Sequence, residues 1–173
     1  MRDMDGNAHA ENSTVITTVG GKRKEQYRSN MVFSTRNLTK ISEWGRGDTW
    51  FIEEVRGVIV HELTHAWQWS CKELPGGLTE GIADFVRLRA NLAPSHWNKS
   101  PKGKKWDAGY DTTAYFLDYV DREVYPGFVA CVNEWIGQEC LRDGKYDEKR
   151  MFAEVMPGWG WDVLWEQWCQ NCQ

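Results

Sequence analysis

The sequence predicts an α+β fold, a small β-sheet packed on a mainly helical body, and two observations carry that reading. Before Asp48 the apolar residues sit in short β-branched runs, whereas after it they recur at three- and four-residue steps. Prolines and glycines then cut the remainder into pieces of helix length. The 173 residues are expected to form one domain, 1–173, long enough to bury a substantial core.

Residues 14–19 (TVITTV), bounded by Gly20-Gly21, read as a strand and turn, and Met31-Val32-Phe33 as a second strand. A glycine-rich loop, Trp44 to Asp48, follows. Asp48 or Thr49 then caps a long helix to about Trp69, with Ile52, Val55, Ile59, Leu63 and Ala66 as its apolar stripe. Leu74-Pro75-Gly76-Gly77 breaks it. A second helix is expected from Thr79 to Ala93, where Pro94 stops it. The lysines at 99, 102, 104 and 105 read as a solvated basic loop. A third helix starts at Tyr110-Asp111, and Pro126-Gly127 opens a fourth that reaches about Ile136. The tail, Met151 to Cys172, reads as two short helices joined at Pro157-Gly158.

Composition narrows the partners. Net charge is −4, which gives no support to nucleic-acid binding over the whole surface. Apolar runs stay far below the roughly 20 residues of a membrane-spanning helix, so no membrane partner is expected. With 11 Trp, 6 Tyr and 6 Phe the chain has ample surface to bury. Tryptophan fills cores, and it also lines sugar-binding clefts. A carbohydrate-binding module using exposed Trp159 and Trp161 is therefore one rival reading. Five cysteines include Cys169-x-x-Cys172 at the C-terminus, with no second such pair, and their pairing stays open.

The chemistry concentrates in His61-Glu62-Leu63-Thr64-His65. Four residues on a helix bring two imidazoles to one face, within reach of a single metal ion, and Glu62 lies beside them as a general base. A catalytic zinc needs three protein ligands and one open position. Glu80, 15 positions after His65 on the next helix, supplies the third. Asp84, one turn beyond, is placed to accept the second ring proton of a ligating histidine, His61 first. Zn2+ bound by His61, His65 and Glu80 would activate a water for peptide-bond hydrolysis, with Glu62 taking its proton. Tyr110 is the first candidate to stabilise the oxyanion and His96 the second, both lying in loop-like sequence.

The stretches GVIVHELTHAWQW, PGGLTEGIADFVRLRA, APSHW, WDAGYDTTAYFLDY and the early DMDG resemble the plant basic secretory proteins. That family is also called peptidases of plants and bacteria. The similarity runs from about Asp3 to Trp168. It implies a zincin-type metallopeptidase with His61, His65 and Glu80 at the metal and Glu62 as catalyst. It also implies secretion, a defence role for the plant members, and a strand-helix segment before DMDG, so the sheet is expected to be truncated. Residues 30–35 (NMVFST) would supply the edge along which substrate lies. The expected partner is a protein or peptide substrate, the expected state a monomer. The other rival is a non-catalytic defence or binding protein that keeps the metal site as structure.

Overall fold

The computed structural model describes the backbone of residues 8–19, 22–33, 39, 47–142 and 144–172, and the side chains of 39, 47–139, 142 and 144–172. The chain divides into two compact units, Met1–Trp67 and Gln68–Gln173.

In the first unit β1 (Ala8–Val19) pairs antiparallel with β2 (Lys22–Phe33), in a register running from Ala8 opposite Phe33 to Val19 opposite Lys22. Both strands are 12 residues long and extend well beyond the β-branched runs. Ladder pairing with a good strand former carries polar sequence that propensity alone would leave irregular. The expected Gly20-Gly21 turn, residues 34 and 35 of the expected edge, and Trp44 to Arg46 of the glycine-rich loop lie outside the described residues. Helix α1 (Asp48–Trp67) starts where Phe51 N–H donates to the Gly47 carbonyl, 3.2 Å away, and it runs mainly along β1. Its buried positions are Glu54, Gly57, Val58 and Glu62. The expected stripe is displaced from these by about one residue, and Ile52 and Leu63 face solvent. The hidden face of this helix thus carries carboxylates, a first sign that it is built for chemistry as well as for packing.

The second unit is helical: α2 (Gly76–Arg89), α3 (Tyr110–Tyr119), a π-helical turn (Val120–Val124), α4 (Phe128–Arg142), α5 (Glu148–Val155) and α6 (Trp161–Asn171). Helix α2 begins three residues before the expected Thr79, with two glycines in its first turn. Both Gly77 and Gly81 are places of close approach. A Cβ on Gly77 would collide with the backbone carbonyl of Asp107, and one on Gly81 with the side chain of Thr113. The helix ends before the expected Ala93 because Asn91 takes a left-handed φ of 58°, which asparagine tolerates better than most residues. Helix α4 outruns the expected Ile136 by a turn and a half. The two tail helices flank Pro157-Gly158 as expected, the first starting three residues before Met151.

Trp161 lies at the middle of the core. It is fully buried, stacked on Trp106 (centroids 4.6 Å apart, 13° between planes), with Phe116, Phe128 and Phe152 at its edges. Its indole N–H donates to the Tyr146 hydroxyl at 2.9 Å. Arg150 ties α4 to α5, donating to Glu139 at 2.8 Å and to Glu154 at 2.9 Å.

The expectation of an α+β fold, with a β-sheet as one layer, is corrected by this architecture. The body is helical, and the strands described form one two-stranded ribbon. The ribbon has two strands, and Lys22–Asn30 is charged and polar in sequence. The buried aromatic residues described are packed among helices. The rival carbohydrate reading is corrected at Trp161. An indole with no exposed surface contacts no sugar, so the carbohydrate reading loses one of its two named residues.

Candidate metal centre

The i,i+4 step on α1 sets the rings of His61 and His65 on one face. Their Nε2 atoms are 2.9 Å apart, with ring centroids 4.6 Å apart and the planes nearly perpendicular. Two imidazole nitrogens on one tetrahedral zinc, at bonds of about 2.0–2.1 Å, stand about 3.3 Å apart. The pair would need to open by only about 0.4 Å to share such an ion, so its donors fit the metal that the motif implies. Between the two histidines in sequence, Glu62 is 6% exposed. Thr64 donates its hydroxyl to the Val60 carbonyl at 2.8 Å, spending its polar group within the helix.

Helix α2 carries Glu80, half-buried, and Asp84, almost wholly buried one turn later. Opposite its first turns runs the chain from Trp106 to Tyr110. Gly109 has φ 81° and Tyr110 φ 49°. A left-handed backbone costs a non-glycine residue about 1–2 kcal/mol, so Tyr110 is held there by its surroundings. Its side chain is 60% exposed. The Glu80 charge, then burial, then the Asp84 charge push the Tyr110 phenol above its ordinary value of 10.0. The hydroxyl therefore keeps its proton through neutral and mildly alkaline pH and remains a hydrogen-bond donor.

The structure thus brings His61 to His65, and Tyr110 to Glu80 and Asp84. His96, the second oxyanion candidate, is exposed in the loop after α2. The lysines at 99, 102, 104 and 105 are exposed, as expected. Cys131, Cys169 and Cys172 carry free thiols, and the Cys140 side chain lies outside the described residues.

Sequence reasoning missed the residues that shape the Tyr110 turn. Thr113, fully buried, donates its hydroxyl to the Trp106 carbonyl at 2.7 Å and accepts from Gly109 N–H at 2.9 Å. Asp111 accepts from the Asn98 N–H at 2.9 Å and holds the far side of the loop. A glycine pair in a helix start facing a Gly-Tyr dipeptide was the available signal. It becomes readable only once the two segments are known to touch.

A family model described as peptidase of plants and bacteria matches residues 1–168. No curated protein and no solved structure matches the chain.

Proposed function

Since this chain belongs to the peptidases of plants and bacteria, we propose that it is a zinc metallopeptidase acting on proteins or peptides. His61, His65 and Glu80 hold the metal, and Glu62 is the general base. Two histidines and a carboxylate are the donor types of a catalytic zinc with one position left open.

The observation that carries the reading is the α1 triplet, a buried Glu62 between two histidines whose nitrogens approach to 2.9 Å. Bound zinc supplies a Lewis acid and lowers the pKa of a coordinated water. The protein's own groups do the rest. Glu62 takes a proton from the attacking water and passes it to the departing amine. Burial shields that carboxylate from bulk water, which strengthens its interactions at the reacting centre. Asp84 accepts the outer ring proton of His61 and so fixes its tautomer. Tyr110 donates its phenolic proton in a hydrogen bond to the oxygen that becomes negative as the carbonyl is attacked.

The test is zinc content by mass spectrometry together with turnover of casein, for the native protein and Glu62→Gln. One zinc per chain is expected in both, with turnover lowered about 10²–10⁴-fold by the substitution. Zinc with turnover indifferent to Glu62→Gln would reduce the centre to a structural metal. Protein that binds no zinc would remove the centre altogether.

A further inference from the structure

We propose that Thr113 is the positioning residue for Tyr110, holding the Gly109-Tyr110 turn in its left-handed backbone beside Glu80. The proposal rests on the metallopeptidase reading for its catalytic consequence, but its structural half stands alone.

Three contacts carry it. The Thr113 hydroxyl donates to the Trp106 carbonyl at 2.7 Å and accepts from Gly109 N–H at 2.9 Å. The Thr113 N–H donates in turn to the Gly109 carbonyl at 3.3 Å, so one residue grips both polar groups of Gly109. The threonine methyl meanwhile abuts Gly81, the residue next to Glu80, where any side chain would collide with it. Thr113 is thus the common neighbour of the turn that presents Tyr110 and of the helix that presents Glu80.

The grip matters because the backbone of the turn is costly. Two consecutive residues, Gly109 and Tyr110, have positive φ, and tyrosine does not adopt that conformation for its own sake. A Cβ at 109 would stand 3.5 Å from the Gly77 Cα and 3.8 Å from the Glu80 Cβ, which shows how closely the turn is laid on the start of α2. Serine would preserve both hydroxyl bonds at this position, and valine would preserve the shape while losing them. Valine at 113 leaves the buried Gly109 N–H unsatisfied and takes from the half-buried Trp106 carbonyl its donor. The turn is then free to relax, and Tyr110 leaves Glu80.

The experiment compares native protein, Thr113→Val and Thr113→Ser by amide hydrogen exchange at Gly109 and by kinetics, with Tyr110→Phe as a second background. Thr113→Val is expected to speed Gly109 exchange at least about tenfold and to lower kcat about tenfold at unchanged KM, the effect of one misplaced donor. Thr113→Ser is expected to restore both to within about twofold. In the Tyr110→Phe background the same Thr113→Val change is expected to cost no further kcat. An equal loss in both backgrounds would show that Thr113 acts without Tyr110, and unchanged Gly109 exchange would show that the grip does not exist. Either result overturns the proposal. Should Thr113→Val fail to fold, Thr113→Ala carries the same test, because it too removes the hydroxyl that grips Gly109. If the native protein cleaves nothing, the metallopeptidase reading fails, while the exchange measurements still decide the positioning role.

Discussion

Trp161 gives its indole N–H to the hydroxyl of Tyr146 at 2.9 Å, and both partners are buried. Burial pushes the Tyr146 phenol well above its ordinary range, against the opposing pull of the indole hydrogen bond, so it accepts as a neutral group. Tyr146→Phe strands a buried donor and is expected to cost about 1–3 kcal/mol. Trp161→Ala also opens a cavity and is expected to cost about 3–5 kcal/mol. Urea unfolding of both variants checks the order. A Tyr146→Phe protein as stable as the native one would mean that water satisfies the indole.

Metal removal should be visible as a loss of stability. A ligand held at 100 to 1,000 times its Kd adds about 2.7–4.1 kcal/mol to the folded state. Chelation is therefore expected to lower Tm in the native protein. His65→Ala should start from the lowered value and show no further drop on chelation. Scanning calorimetry of the two proteins, with and without chelator, makes the comparison. An equal fall in His65→Ala would place the bound metal elsewhere.

The close approaches of α2 rank two glycine substitutions. Gly77→Ala meets backbone, the Asp107 carbonyl, and Gly81→Ala meets the threonine side chain. Backbone yields less readily than a side chain, so Gly77→Ala is expected to be the worse. Overpacking of this kind costs about 1–3 kcal/mol. Denaturant midpoints give the ranking, and a Gly77→Ala variant no less stable than Gly81→Ala would contradict it.

Glu154 predicts a dependence on pH. Hydrogen bonds from the Trp135 indole and from Arg150, at 2.9 Å each, hold its carboxyl below the ordinary 4.5. Because the folded value is the depressed one, the stabilisation is present above the ordinary value and is lost as pH falls through the folded one. Glu154→Gln is accordingly expected to destabilise at pH 7 and to match the native protein in strong acid. Urea midpoints measured across the acid range test this. A difference that persists unchanged into acid would assign the effect to packing.

The part of the site that the sequence discloses is the part that is local. His61 and His65 meet because four residues make a helical turn, and that arithmetic holds wherever the helix lies. The approach of Tyr110 to Glu80 is different in kind. It depends on Gly77 and Gly81 having no side chains and on Thr113 reaching back to Gly109. None of these is periodic, so only their juxtaposition reveals them. The β reading failed for a related reason. Residues 14–19 do have strand chemistry, but the number of strands that join a ladder is decided by long-range pairing, which local pattern does not encode. The start of α2 shows the reverse error. Glycine is a poor helix former, yet Gly77 stands in the first turn of that helix because the Asp107 backbone passes close by.

The stacked pair of Trp106 and Trp161 has an optical consequence. One ring belongs to the strand of chain that leads to Tyr110, the other to the last helix, and they lie almost parallel at 4.6 Å. At that separation their electronic transitions couple and mix, as do those of the tilted Trp165 and Trp168 rings 4.9 Å apart, and both pairs contribute to the circular dichroism. Lifting the segment that ends in Tyr110 off the core would uncouple Trp106 from Trp161 while every helix stayed intact. The molecule therefore carries its own spectroscopic gauge of whether that segment is seated, readable without any label.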